Sequence, residues 1–224
     1  YIFSLSGRID ASNKFGVHTN DKKTALWSTS LGWHISEENF YPLSWLTYLK
    51  LRASIGYNGN VDNTMSSQLV AAINNSPNRY KEISISVISP QNDWLRWEKV
   101  GMFNVGIDFG TKRKKIEGSI EFYKKFANHL IGESNPDPTG IYVPHKSNTA
   151  KLGAHGFDLN FSAVLLSQPK KRREWRIDIT ASHNVDRVRK YDRPNDEARA
   201  YTDVSNYAIR AGWPVQSIVG YRDA

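Results

Sequence analysis

The 224-residue chain contains no cysteine, which excludes disulfide frameworks, cysteine-based zinc sites and cysteine nucleophiles. It also has no apolar stretch that approaches the roughly 20 residues of a membrane-spanning helix. A helical membrane protein is therefore excluded. Because the chain opens inside an alternating apolar and polar pattern, we expect it to be a segment of a longer protein.

Basic residues outnumber acidic ones, and the formal net charge is +8. Such a charge can indicate a nucleic acid or another anionic partner. However, the tightest basic runs, at residues 112–115 and 170–173, each lie between two alternating segments. Charged runs in this position are typical of solvated hairpin turns, so we expect no nucleic acid partner.

Alternation with a period of two recurs through the chain and predicts β-strands with two different faces. In the stretch at residues 94–110, Phe103, Val105 and Ile107 alternate with Asn104 and Asp108. Similar segments begin near Tyr1, Thr24, Leu49, Ile116, Phe157 and Trp175. Most exceed the usual strand length of about 5–6 residues and reach the length that a tilted strand needs to cross a membrane.

The links between these segments largely alternate between longer and shorter ones. We expect them at residues 11–23, 36–46, 59–93, 111–114, 130–152, 168–173 and 190–213. Transmembrane β-barrels have short periplasmic turns and long extracellular loops. The sequence thus predicts periplasmic turns at the two basic runs and extracellular loops at 58–93, 129–152 and 190–213.

Pairing Phe109 with Ile116 across the first basic turn would give one unbroken apolar face and one face of carboxylates and amides. This favours lipid on one side and a wet lumen on the other. Most of the tryptophans fall near strand ends or loop edges, where such rings lie at a bilayer interface. The alternative is a soluble β-sandwich that binds an anionic polymer. The two differ in whether protein covers a diagnostic set of six apolar side chains: Phe103, Val105, Ile107, Phe122, Phe161 and Ile179.

Six blocks, in order, resemble the SusC/RagA family of TonB-dependent outer-membrane transporters: FG with SLGWHISEENF (15–16, 30–40), LKLRASIGYNGN (49–60), LRWEKVGMFNVGIDFG (95–110), GSIEFYKK (118–125), HGFDLNFSA (155–163) and IRAGWPVQSIVGY (209–221). The resemblance implies an all-β antiparallel meander of about seven or eight strands within a barrel of roughly 22 strands in the Gram-negative outer membrane. Residues 1–224 would be one partial barrel domain, with the plug and flanking strands elsewhere.

The family resemblance further implies import of glycans, or in some members of peptides, together with a SusD-like surface lipoprotein. Energy would come from TonB, ExbB and ExbD acting on the plug, and outer-membrane lipid would surround the wall. No cofactor is implied. A structural outer-membrane barrel without transport is the remaining alternative.

Catalytic and metal-binding patterns are missing: the six histidines show no ligand spacing, and there is no nucleophile elbow or phosphate-binding loop. We expect neither an enzyme nor a metal site. Aromatic residues in the long loops are candidate substrate contacts because their rings stack on sugar faces. The candidates are Tyr80, Trp94, Trp97, Tyr142 and His145. Each could instead serve loop packing or an interfacial belt.

Overall fold

The computed structural model describes residues 1–13, 23–62, 64–74, 76–77, 79–134, 145–168, 173–192 and 209–217. These contain nine strands: β1 (Ile2–Ala11), β2 (Lys23–His34), β3 (Tyr48–Asn60), β4 (Val70–Asn74), β5 (Ser84–Ser89), β6 (Glu98–Gly110), β7 (Ile116–Ser134), β8 (His145–Gln168) and β9 (Arg173–Tyr191). Within those ranges, no helix is both long enough and apolar enough to cross a membrane.

Seven strands form one antiparallel sheet in the order β1-β2-β3-β6-β7-β8-β9, and β4 pairs only with β5. Each of the seven has ten residues or more, and β8 has 24. The all-β antiparallel meander predicted from the sequence is confirmed. The described sheet is open, with β1 and β9 at its two edges.

The strand pairing sorts the side chains onto two faces. Outside the bulges, even-numbered residues of β1, β2, β3, β6, β8 and β9 share one face with odd-numbered residues of β7. We call this the polar face, because every described carboxylate outside the bulged, register-shifted parts of these strands lies on it. The opposite side is the apolar face. Residues paired directly from strand to strand form a cross-strand row.

Protein does not bury the apolar face. Of the diagnostic set, Phe103, Ile107, Phe122 and Ile179 are 43–59% exposed, and Val105 and Phe161 are half-buried. Among the described residues only five apolar side chains are buried, namely Leu26, Leu95, Trp97, Ala163 and Val188. A sandwich would bury one face of this sheet against another layer, so the described part of the chain is a single layer with an uncovered apolar side.

The predicted register at the first basic turn was wrong by two residues. Phe109 lies opposite Gly118, and the last pair before the turn is Gly110 with Glu117. The turn is longer than expected because residues 112–114 form a single 3-10 turn, in which Arg113 has φ of 63°. Thr111 closes it, since its backbone N–H donates to the Ile116 carbonyl at 2.8 Å. A shift of two residues keeps every side chain on the same face of the sheet, so the predicted separation of apolar and polar residues is confirmed.

The bounds or content of two further predicted loops also differ from the structure. The link at 130–152 contracts to 135–144 because β7 and β8 continue past a register shift between Ala127 and Ile131, where His129 has φ of 58°. A bulge reverses the alternation, and this hides the rest of a strand from a period-two pattern. The link at 59–93 begins after Asn60 and contains the β4–β5 hairpin, which the sequence reading missed.

The links now fall on two ends of the sheet. Residues 12–22, 61–97 and 135–144 connect strands at one end, which we call the long-loop end. Residues 35–47, 111–115 and 169–172 connect them at the short-turn end. The link at 35–47 is the exception to the length rule. The basic run at 112–115 lies at the short-turn end, as predicted, whereas residues 170–172 of the second run lie outside the described residues.

Candidate functional site

An ion-pair cluster occupies the centre of the polar face. The Arg52 guanidinium on β3 contacts Asp108 on β6 at 3.1 Å and Glu121 on β7 at 2.8 Å. Asn104 of β6 donates a hydrogen bond from its side-chain amide to the same Glu121 carboxylate. The three charged side chains are 24–36% exposed. Three neighbouring strands are thus joined by charged contacts on a surface that retains access to water.

Gly106 allows Arg52 to reach across β6. The two residues are directly paired, and Gly106 is paired in turn with Glu121, so all three share one cross-strand row. A Cβ on Gly106 would lie 3.0–3.1 Å from atoms of the Arg52 guanidinium. Since alternate strands are about 9–10 Å apart, the arginine can bridge them only where the middle residue leaves room.

The same arrangement recurs between β7 and β9. The Tyr123 hydroxyl donates to the Asn184 side-chain oxygen at 3.1 Å, and Gly156 of β8 lies between them in the row. A Cβ on Gly156 would lie 2.5 Å from the tyrosine oxygen. Polar contacts that pass over glycine therefore tie together five strands of the sheet, from β3 to β9.

At the long-loop end, Asn148 of β8 anchors the return of the 61–97 loop. Its side-chain oxygen accepts from the Arg96 backbone N–H at 2.9 Å, while its amide donates to the Arg96 carbonyl at 2.8 Å and to the His129 carbonyl at 2.6 Å. Beside this clamp, Leu95 and Trp97 form a small buried core, against which Val61, Met65 and Ile131 pack. The loop base is therefore held by both polar and apolar contacts.

Asp62 forms a second anchor at the start of the same loop. Its carboxylate accepts from the Thr64 hydroxyl at 2.6 Å and from the Thr64 backbone N–H at 2.9 Å, and Lys146 of β8 lies 3.4 Å away. The Thr64 hydroxyl bond, with smaller help from Lys146, holds the pKa of Asp62 below its ordinary value. Asp62, Glu98 and Lys146 also line a cleft of about 520 Å³ at this end.

The structure brings some of the predicted contact residues to the long-loop end. Tyr80 lies between β4 and β5 and is 83% exposed, and Trp94 is 70% exposed just before the loop returns to β6. Trp97, in contrast, is 7% exposed within the small core. The backbone of His145 begins β8 opposite Ser134. Tyr142 lies outside the described residues.

Two features of this end were missed by sequence reasoning. Asn148 gave no signal, because an asparagine inside a polar run is indistinguishable from any solvated residue. The β4–β5 hairpin carries four well-exposed isoleucines, Ile73, Ile83, Ile85 and Ile88. Alternation over ISISV at residues 83–87 could have revealed this strand, although it is short. Within the described ranges, no group of three or more His, Asp or Glu side chains could hold a metal ion.

No protein-family model matches the chain. Among curated proteins, it is 28% identical over 196 residues to the TonB-dependent receptor SusC of Bacteroides thetaiotaomicron, covering 82% of this chain and 19% of that protein. It is 26% identical over 234 residues to the TonB-dependent receptor P39 of Formosa agariphila, covering 100% of this chain and 21% of that protein. The chain thus spans about a fifth of the length of these relatives.

Solved structures of the RagAB peptide importer have a similar fold. The closed-closed state superposes with a TM-score of 0.72 at 21% identity, over 84% of this chain and 20% of the other. The open-open state gives a TM-score of 0.70 at 22% identity, over 83% and 20%. The likeness extends over most of the described sheet.

Proposed function

We propose, from the premise that this chain belongs to the SusC/RagA family of TonB-dependent receptors, that it forms part of the barrel wall and outer loops of a nutrient importer. The observation that carries the proposal is the single-layer sheet, whose apolar face is uncovered by protein and whose polar face is crossed by ion pairs. Residues 1–224 are then one partial barrel domain of an outer-membrane protein. No catalytic role is assigned to it.

In this proposal the apolar face contacts lipid and the polar face lines the lumen. A band of exposed phenylalanine and isoleucine side chains is favourable in hydrocarbon, whereas in water it would be an aggregation hazard. The cluster of Arg52, Asp108 and Glu121 needs water or polar contacts, and a lumen supplies both. A soluble sandwich that binds an anionic polymer fits less well, since nothing in the described sheet covers the apolar face.

The long-loop end is placed outside the cell, as in other outer-membrane barrels. A SusD-like surface lipoprotein is proposed to close over this end. The exposed isoleucines of the β4–β5 hairpin offer an apolar contact for it, because exposed aliphatic groups favour burial against a partner. TonB, ExbB and ExbD are proposed to act through parts of the receptor beyond these 224 residues.

The imported substrate is proposed to be a glycan or a peptide. Tyr80 and Trp94 present exposed rings at the long-loop end, suited to stacking on a sugar or on a peptide side chain. Trp97 supports the loop from within the small core, and Tyr142 and His145 remain candidates in the next loop. The transport step itself would pass along the polar face once the plug moves.

Uptake by the full-length receptor tests transport against a purely structural barrel. Cells that express the receptor with its neighbouring lipoprotein should accumulate labelled oligosaccharides or peptides, and loss of TonB should abolish this accumulation. Equal accumulation with and without TonB, or no accumulation of either class in cells whose receptor is assembled, would contradict energised import.

The proposed contacts are tested by Tyr80→Ala and Trp94→Ala in the same receptor. Loss of one stacking ring costs on the order of 1 kcal/mol, so we expect roughly fivefold weaker substrate capture from each. Trp45→Ala is the matched control, since Trp45 is also well exposed but lies at the short-turn end. If uptake is unchanged in both loop variants, Tyr80 and Trp94 are not substrate contacts.

A further inference from the structure

The apolar face carries charges of only one sign. Among the described in-register residues, its charged side chains are Lys23, Lys99, Lys124 and Arg187, and no carboxylate shares the face with them. All four lie towards the long-loop end. Both His155 and Arg187 occupy this face beside Lys124, because Lys124 pairs with His155 and Arg187 pairs with Gly153.

An aromatic row on the same face marks the depth of Arg187. Trp27, Tyr57 and Phe126 belong to one cross-strand row, with Gly101 between the last two. Their rings are 5.5 Å and 6.0 Å apart. Aromatic girdles of this kind occur at bilayer interfaces in outer-membrane barrels. Phe126 pairs with Gly153, which places Arg187 in this same row.

Four basic side chains line one cleft beside the aromatic row. Lys124, His155, Arg187 and Arg189 line a cleft of about 330 Å³. Its floor is Gly153, where a Cβ would lie 3.1 Å from Cζ of Arg189. Lys124 and His155 lie two rows, roughly 7 Å, nearer the middle of the sheet, a distance that the flexible lysine stem can span towards the interface.

Cationic groups on a lipid-facing surface cost free energy, most at the midplane and less near the interface. A group of them at interface depth, with no carboxylate among the described in-register residues of that face, is favourable where an anion in the membrane neutralises it. Arginine binds phosphate bidentately, and basic pockets at membrane interfaces bind lipid headgroups. The cleft therefore matches a phosphate that is carried by a membrane lipid.

We propose that Lys124, His155, Arg187 and Arg189 form a binding site for the phosphate headgroup of an outer-leaflet lipid. The proposal rests on the membrane orientation given under the proposed function. It assigns a lipid contact to the outside of the wall, separate from the lumen and from the substrate loops. The aromatic row lies beside the headgroup at the depth of Arg187 and supplies apolar contacts there.

The test uses the full-length receptor, purified in detergent and stripped of lipid. Binding of monophosphoryl lipid A is measured by native mass spectrometry for the parent protein and for the combined variant Lys124→Gln, Arg187→Gln, Arg189→Gln. The matched control is Lys23→Gln with Lys99→Gln, which removes positive charge from the same face outside the cleft. Dephosphorylated lipid A and inorganic phosphate serve as further probes.

We expect the cleft variant to bind monophosphoryl lipid A about tenfold more weakly, and the control to bind it as the parent does. Dephosphorylated lipid A should bind the parent weakly, and millimolar inorganic phosphate should not compete. Equal losses in the cleft and control variants would overturn the proposal, because they indicate general charge attraction. So would equal binding of the dephosphorylated lipid, or inorganic phosphate that binds as tightly as the lipid.

Barrel assembly is checked by heat-modifiable gel migration. If the combined variant does not assemble, Arg189→Gln alone provides the comparison, since Arg189 lies beside a bulge at the end of β9. TonB-driven uptake is recorded for the same variants. Normal lipid binding without uptake would count against the proposed function alone, whereas normal uptake with unchanged lipid binding in the cleft variant would refute the lipid site alone.

Discussion

At the scale of single residues, glycine acts as a gap that allows long side chains to cross a strand. Gly106 lies beneath the Arg52 guanidinium, and Gly156 lies beneath the Tyr123 ring. The first contact joins β3 to β7 across β6, and the second joins β7 to β9 across β8. Such contacts strengthen the sheet laterally, which matters in a wall that has no second layer.

Replacement of Gly106 by alanine should displace Arg52 from Glu121. The new methyl group would press on the guanidinium, and overpacking of this kind costs about 1–3 kcal/mol, near the low end here because the arginine can shift. A double-mutant cycle in urea unfolding of the full-length receptor measures the effect, and Arg52→Ala should cost less in the alanine background.

Gly7→Ala provides the matched control, since a Cβ there meets nothing within 4 Å. If the coupling between Arg52 and Glu121 is the same in the Gly106→Ala protein as in the parent, Gly106 is not needed for the contact.

Asp62 should make the base of the long loop sensitive to acid. Its folded pKa is lowered, so the carboxylate stabilises the turn above the unfolded value of 3.8, and this stabilisation is lost as pH falls through the lowered folded pKa. Hydrogen exchange at the Thr64 amide, corrected for its intrinsic rate, should show constant protection from about pH 7 to 5 and a loss below about pH 4. Asp62→Asn should remove this titration, and protection that persists unchanged to pH 2 in the parent would contradict the role of the carboxylate.

At the scale of elements, the sequence predicted the seven long strands but not all of their ends. Period-two alternation reports which face a residue occupies, so Phe103, Asn104 and Asp108 were placed correctly. It cannot report turn length, and the 3-10 turn at residues 112–114 shifted the predicted register by two. Nor can it follow a strand through a bulge, which is why β7 and β8 were predicted too short.

The candidate site was less predictable for a related reason. Exposed aromatic residues such as Trp94 can be selected by type, but burial of Trp97 depends on contacts with Val61, Met65 and Ile131, which are distant in sequence. The Asn148 clamp likewise joins residues 52 positions apart. Local patterns contain no information on such pairings.

Asn148→Ala should loosen the loop at 61–97. The change leaves the partly buried Arg96 N–H and carbonyl without this partner, and loss of a buried partner costs about 1–3 kcal/mol, so we expect the low end here. We expect faster tryptic cleavage at Arg79 and Lys81 in the assembled receptor. Asn160→Ala is the control, because Asn160 lies on the same strand with long bonds of 3.3–3.4 Å. Equal cleavage rates in both variants would contradict an anchoring role.

At the scale of the whole molecule, the described sheet is a single layer with two chemically different faces. The apolar face is left uncovered over seven strands, and the polar face holds the ion pairs. In the proposed function, lipid and neighbouring strands of the receptor would add to the stability that contacts within the chain provide.

Ile107→Arg should impair membrane assembly of the full-length receptor by about 2–4 kcal/mol, the cost of arginine on the lipid face near the midplane. Folding into vesicles, followed by heat-modifiable migration, measures this. Ser182→Arg is the control, because Ser182 lies on the polar face in the cross-strand row of Gly106 and therefore at similar depth. Full tolerance of the Ile107 variant would argue against lipid on that face.

The confinement of every in-register carboxylate to one face also has a consequence for assembly fidelity. A slip of one residue between neighbouring strands would turn a whole set of carboxylates, among them Asp108 and Glu121, towards hydrocarbon and would bring phenylalanines into water. Slipped pairings are thus penalised on both sides at once. The charge pattern thus favours the native strand register over slipped registers during assembly.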